Sequence, residues 1–255
     1  MSQEIKKLEF MYKQFQWSFI GIVGFIFLVG CSSEVRQQLQ PVPTAFGPRN
    51  QLVVIADEDV WKGNVGDSVR YYFSSAYPLL PQPEPIFDLL HYTPNELAGM
   101  EQRKQLRTYL ILTNLQDEDA TTTQLTTDII GSEKVRSIKE DPNAPRNTVG
   151  LDKWAKGQLL IFLHESGEQA LADQVAASFP AIKERIDRAN RTRIEANVFV
   201  NGDNKVVQND IIDVMRIQMR IPKKYFTALD EDNTIWIRRE TPVSSANIMI
   251  HKMPY

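Results

Sequence analysis

The chain has 255 residues, 42% of them hydrophobic and 24% charged, which is enough to bury one large core or two smaller ones. Its net charge of −3 comes from 29 Lys and Arg scattered among 32 Asp and Glu, so no concentrated basic face is expected and nucleic acid is excluded as an expected partner. A single cysteine excludes an internal disulfide and leaves Cys31 as a buried apolar residue, a reactive thiol, an intermolecular bridge or a modification site.

The first segment decides among these. Lys6, Lys7 and Lys13 precede an uncharged stretch from Trp17 to Gly30, a positive n-region followed by an apolar h-region of about 14 residues. That length suits a secretory signal and falls short of the ~20 residues a spanning helix needs. Leu28-Val29-Gly30-Cys31 closes the run and resembles the bacterial lipobox, in which a small residue precedes the cysteine. The resemblance implies diacylglyceryl transfer to the Cys31 thiol, cleavage between Gly30 and Cys31, and acylation of the new amino terminus. Each buried acyl methylene adds about 0.8 kcal/mol of membrane affinity, so several chains hold firmly. The alternative is an uncleaved membrane anchor with an incidental cysteine, against which stand the short run and the lack of a charge cluster after it. Met11 offers a second start with a more usual n-region. Ser32, Ser33 and Glu34 follow Cys31, and in families with similar signals a non-aspartate residue there is compatible with sorting to the outer membrane. The expected location is the bacterial outer membrane, lipid-anchored and facing the periplasm, with residues 1–30 a signal peptide and 31–50 a flexible polar tether.

Residues 51–212 read as an α/β domain. "QLVVIA" from Gln51 is a buried strand, and Asp57 to Asp59 supply N-cap candidates for a helix carrying Val60, Trp61, Val65, Val69 and Tyr72. Pro78, Pro81, Pro83 and Pro85 forbid regular helix and predict an extended connector. "PIFDLLHY" is a strand, Thr93-Pro94 opens a short helix, and "RTYLILTNL" is a strand by its β-branched and aromatic content. Thr121 to Ile130 is helical because Leu125, Ile129 and Ile130 recur at helical spacing; "KEDPNAPRNTVG" breaks regular structure; "QLLIFLHE" is a further buried strand. A long amphipathic helix follows from Gly167, interrupted or kinked at Pro180. Strands alternating with helices imply a layered mixed α/β sandwich.

From Val214 the pattern changes to four strand-like runs, "VMRIQMRIP", "KYFTALD", "NTIWIRRE" and "SANIMIHKMPY". Their apolar residues alternate, predicting an antiparallel β meander over residues 213–255 with one buried face, and an α+β chain as a whole. "NIMIHKMPY" ends without a turn, helix or polar tail, which suggests a subdomain truncated at Tyr255; the alternative is that the long helix before Asn209 covers the sheet and Tyr255 is the natural end. Taken together, the lipobox, "NQLVVIADEDVWKG" and "MRIPKKYFTALDEDNTIWIRRETPVSSANIMIHKMPY" resemble a family of Bacteroidetes lipoproteins that carry a domain of unknown function. The resemblance implies a location and no reaction.

Few residues suggest chemistry. Asp-Glu-Asp occurs at 57–59, 117–119 and 230–232, but adjacent residues cannot converge on a calcium ion as spaced ligands do, so these acids are expected to cap helices or solvate turns, with no metal held. His91, His164 and His251 each end a strand-like run, and His164-Glu165 lacks the second histidine of a zinc-hydrolase motif. No phosphate loop, nucleophile elbow or dinucleotide glycine pattern is present, so no cofactor and no catalytic residue is expected. Trp61, Trp154 and Trp236 lie near charges; Trp236 with Arg238 and Arg239 forms a candidate interface, weighed against a core tryptophan with solvated arginines. The leading expectation is a non-catalytic protein held to the membrane by its N-terminal lipid and binding an envelope protein or glycan. The rival is an envelope hydrolase using Glu165 with Glu168, or Asp57 with Asp59, which would need one concave pocket between the acids.

Overall fold

The computed structural model describes residues 41–78 and 81–253. Cys31, its lipobox residues Leu28, Val29 and Gly30, the alternative start Met11 and the end at Tyr255 lie outside the described residues. Among the described residues no helix is long and apolar enough to cross a membrane.

In chain order the elements are β1 (Gln51–Ile55), α1 (Glu58–Lys62), α2 (Asn64–Phe73), β2 (Asp88–Tyr92), α3 (Pro94–Ala98), β3 (Thr108–Asn114), α4 (Thr121–Ile130), α5 (Ser132–Glu140), β4 (Asn147–Leu151), β5 (Leu159–Glu165), α6 (Glu168–Val198), α7 (Lys205–Met215), β6 (Phe226–Glu231), β7 (Thr234–Thr241) and β8 (Ser244–His251). The first five strands form one sheet in the order β2-β1-β3-β5-β4, parallel except for the edge strand β4. Both faces are covered. Leu52, Val54, Leu110, Leu112 and Ile161 pack under α1, α2 and α6 through Val60, Val65, Val69, Leu171 and Val175. The alternate residues Val53, Ile55, Tyr109, Ile111 and Phe162 pack under α3 and α4 through Leu97, Leu125 and Ile129. This two-sided burial explains why the inner strands read as continuous apolar runs. With the separate antiparallel sheet β6-β7-β8, the chain has the expected α+β architecture, a mixed α/β sandwich followed by a β meander.

Local chemistry accounts for several boundaries. At α3, the Thr93 hydroxyl accepts from Glu96 N at 3.2 Å while the Glu96 carboxylate accepts from Thr93 N at 2.9 Å, with Pro94 at the first helical position. That backbone bond holds the Glu96 carboxyl below its ordinary value. The helix expected after β1 breaks in two because Gly63 is extended, and Gly66 lets the halves close up: a Cβ there would stand 1.8 Å from the Trp61 carbonyl oxygen.

Other expectations need correction. α6 runs unbroken through Pro180; the ring is on the exposed side, where the carbonyl freed at Ala176 is within reach of solvent. β4 begins within the stretch read as irregular, after α5, whose residues 132–138 drew no reading; β4 escapes detection because it is a shallow edge strand with burial on alternate residues only. "VMRIQMRIP" is not a strand. Val214 and Met215 end α7, Arg216 takes a left-handed φ of 59°, and the following residues form a loop whose Met219 and Ile221 fill a core, so the meander has three strands, not four.

The division of the chain also moves. A boundary at 212/213 would cut α7, yet Val207, Ile211 and Met215 of that helix form one core with Ile221, Ile235 and Ile237 beneath the meander. The unit therefore begins near Asn204, whose side chain caps α7 by accepting from Val207 N. The tether is shorter than expected as well: Ala45 is buried, its N–H bonds Lys156 O at 2.9 Å, and Phe46 N bonds Gln105 O at 3.0 Å.

Candidate functional site

In an open sheet with this strand order, the loops leaving β1 and β3 part to opposite faces, and the crevice between them is where such folds hold ligands. Asp57 stands there, immediately beyond β1. The N-cap residue of α4, Ala120, has no side-chain oxygen to offer the helix. Asp57 supplies it from 64 residues away: its carboxylate accepts from the Thr121 hydroxyl at 2.5 Å and from Thr122 N at 3.2 Å. The negative end needed by a helix N-terminus is thus internal, and it occupies the place of an anionic ligand.

Residues around the crevice are similarly engaged. His91 stacks on Trp61 at 4.7 Å between centroids, and its Nε2 lies 3.0 Å from Ala56 O. Asn114 accepts from Gln116 N and Gly167 N, tying β3 to the start of α6. Deeper in, Thr113 bonds Thr126 at 2.7 Å and His164 Nε2 lies 3.2 Å from the Thr148 hydroxyl, while His164 Nδ1 and the Thr122 hydroxyl have no partner among the described residues. Burial pushes the His164 pKa down to about 4, helped by the Arg146 charge, so the imidazole is neutral at pH 7.

The carboxylates named for hydrolysis stand in separate local settings. Glu165 lies 3.5 Å from Arg146; Glu168 opens α6 beside Gly63; Asp57 is the cap; Asp59 is exposed on α1. The first two acidic triplets do come to the same end of the sheet, but Asp117 is spent on Asp119 N and Ala120 N and Glu118 on Lys139 at 2.7 Å. In the third triplet Asp232, with Asn233, makes a tight β6–β7 turn at positive φ. Among the described residues no three His, Cys, Asp or Glu are grouped to hold a metal ion.

The C-terminal unit carries the other candidates. Ile235 and Ile237 point into its core, so Trp236 and Arg238 point away from it: Trp236 is not a core residue. Trp236 is flanked across the sheet by Leu229 and Met249, the latter 68% exposed, giving an apolar row on the outward face. Its Nε1 donates to Asn247 at 3.2 Å, and Arg238 sits 5.4 Å from its ring while pairing with Glu240. His251 lies on the same face, 2.7 Å from the Thr234 hydroxyl. Trp154, by contrast, packs edge-on to Tyr109 against the main sheet.

Arg239 has the opposite direction from Arg238. It shares the inward face of β7 and reaches a cavity of about 190 Å³ at the junction of the two units, walled by Asn197 in the last turn of α6, by Asn201 beyond it and by Pro222, Lys223 and Lys224 before β6. Sequence reading grouped Arg239 with Trp236 and Arg238, and missed Lys223 and Lys224. The only local signal was two adjacent lysines after a proline, and nothing in that pair reports what lies opposite.

Residues 45–199 match the family model described as Domain of unknown function (DUF8532), and residues 204–255 match Domain of unknown function (DUF4837). The matches part where α6 ends and α7 begins. No curated protein and no solved structure matches the chain.

Proposed function

From a chain that belongs to the DUF8532 domain-of-unknown-function family over residues 45–199, no activity is inherited, and we propose that it is a lipid-anchored protein of the bacterial outer membrane, facing the periplasm, that binds an envelope protein or glycan without catalysing a reaction. The anchoring part rests on the lysines, the apolar run and the Leu28-Val29-Gly30-Cys31 closure. The observation that supports binding over catalysis is the crevice at the reversal of strand order. A ligand entering it would have to displace Asp57 from Thr121 and Thr122 and leave the α4 N-terminus unsatisfied. A hydrolase would need a general acid and a second carboxylate across one cleft; here those acids serve a cap, an ion pair and separate helix starts.

The surface best suited to a partner is the outward face of the meander. Trp236 and Arg238 are residue types that dominate binding energy, and Leu229 and Met249 extend the apolar row beside them. Two experiments test the two halves. Cys31→Ala should abolish fatty-acid labelling and shift the protein from the membrane to the soluble fraction; unchanged labelling and partition overturn the anchor. Material captured from membranes with the wild-type chain should be lost with Trp236→Ala combined with Arg238→Ala. Co-purification of the same proteins and glycans with that variant would remove this face from the proposal.

A further inference from the structure

The junction cavity bearing Arg239 is lined by three cationic residues and no acid. Arg239 Nε is buried and has no hydrogen-bond partner among the described residues. Neither Arg239 nor Lys223 nor Lys224 has a carboxylate within ion-pair distance among the described residues, and no acidic residue contributes to the cavity wall. The nearby acid, Asp203, is already held by Lys205 at 3.1 Å and Arg220 at 2.9 Å, which keep its carboxyl below the ordinary range. Three cations thus converge in a chain whose net charge is −3.

The walls are built rather than loose. Lys223 N donates to Gly202 O at 3.0 Å, Asn204 N to Ile221 O at 2.7 Å, Tyr225 N to Pro222 O at 3.0 Å, and the Asn204 amide to Tyr225 O at 2.7 Å. Arg220 lies 3.9 Å from the Phe199 ring and braces the same junction. One attractive partner is present within the protein: the C-terminal end of α6, whose dipole amounts to about half a negative charge. That offsets only a fraction of three full charges. An arginine and two exposed lysines on one cavity wall that carries no acid make a good arrangement for an anion.

We propose that this cavity is an anion site that takes a phosphate group. A tetrahedral oxyanion offers acceptors in several directions at once, which suits the guanidinium, the two ammonium groups and the Asn197 and Asn201 amides better than a flat monocarboxylate does. The volume of about 190 Å³ equals that of about six liquid waters at ~30 Å³ each, room for a phosphate and part of what it esterifies. The same chemistry is presented by free phosphate and by the headgroup of an anionic lipid. The assignment is independent of lipid attachment at Cys31 and of the meander face, because Arg239 and the lysines open on the other side of β7 from Trp236.

The test is calorimetric titration of the full chain in a neutral detergent, at constant ionic strength, with three probes: inorganic phosphate, glycerol 3-phosphate, and micelles doped with phosphatidylglycerol. Binding of phosphate at millimolar or lower concentration, weakened at least tenfold by Arg239→Gln and by Lys223→Gln with Lys224→Gln, is expected for a free-phosphate site. Binding of glycerol 3-phosphate or doped micelles alone, with the same sensitivity to the variants, assigns the site to a headgroup. No binding by any probe, binding unaffected by the variants, or equal competition by chloride overturns the site. A second reading guards against unfolding of the variant. Without phosphate, Arg239→Gln should melt at the same temperature as wild type or higher, because it removes an unpaired buried donor; a lower melting temperature would mark Arg239 as a structural partner of α6 and overturn the proposal.

Discussion

Asp57 shows what a single residue does here. In the sequence it reads as a helix cap for the segment that follows it, but its carboxylate turns to a helix that starts 64 residues later, because Ala120 leaves that helix uncapped. Replacing Asp57 with Ala should lower unfolding free energy in urea by about 1–2 kcal/mol, the cost of a lost cap and an orphaned N–H, and Asn should lose less because it keeps an acceptor oxygen. His164 makes the matching statement in pH. Its pKa falls from 6.5 to about 4 on burial, so between those values the unfolded chain takes up a proton that the folded chain refuses. Stability is therefore complete above about pH 6.5 and is lost as pH falls toward 4, by up to about 3 kcal/mol for this group. Comparing melting temperatures of wild type and His164→Gln from pH 7 to pH 4.5 should show a shallower decline in the variant, after the carboxylates common to both are subtracted.

At the scale of elements, α6 is the clearest contest between local propensity and packing. An internal proline deletes one hydrogen bond and crowds the preceding turn, at a cost of about 3 kcal/mol in a free helix. The helix nevertheless runs from Glu168 to Val198, since Leu171, Val175, Ile182 and Ile186 on either side of Pro180 lie in the same core. Phe179, next to the proline, packs edge-on to Phe73 at 4.9 Å. Pro180→Ala should restore the bond and raise the melting temperature, corresponding to about 1 kcal/mol or more; a fall would mean that the proline is needed to seat Phe179. The strand β4 teaches the converse. With Asn147, Val149 and Leu151 outward and a glycine at 150, it carries little apolar signal, and only its pairing with the strongly apolar β5 makes it a strand.

For the whole molecule the decisive feature is two separate cores. The larger unit is stabilised on both faces of a five-stranded sheet, whereas the unit from Asn204 onward depends on a core built from α7, the loop before β6 and the inward face of β6–β8. The described core of this unit is much the smaller, so it is expected to be the weaker one. Ile237→Ala should remove about 2–5 kcal/mol from it and lower the first of two unfolding transitions, leaving the second, from the α/β unit, in place. Hydrogen exchange should locate the change in β6, β7 and β8. A single transition that moves as a whole would show that the junction couples the units into one cooperative body.

What the sequence by itself determined is what neighbouring residues encode. The strands β1, β3 and β5, the Thr93-Pro94 helix start, the alternation in β7 and the α+β class all follow from periodicity and capping chemistry within a few residues. What only the tertiary structure decided is whatever depends on partners far along the chain. Topology brings Asp57 to Thr121 and closes the crevice; the fold of α7 onto the meander moves the unit boundary; and the pleat of β7 sends Arg238 outward and Arg239 inward, toward Lys223, Lys224 and the end of α6. The reason is physical: a residue's secondary structure is biased by its immediate neighbours, but the charge it meets and the cavity it lines are set by which strands pair and which face is buried, and no local pattern carries that information.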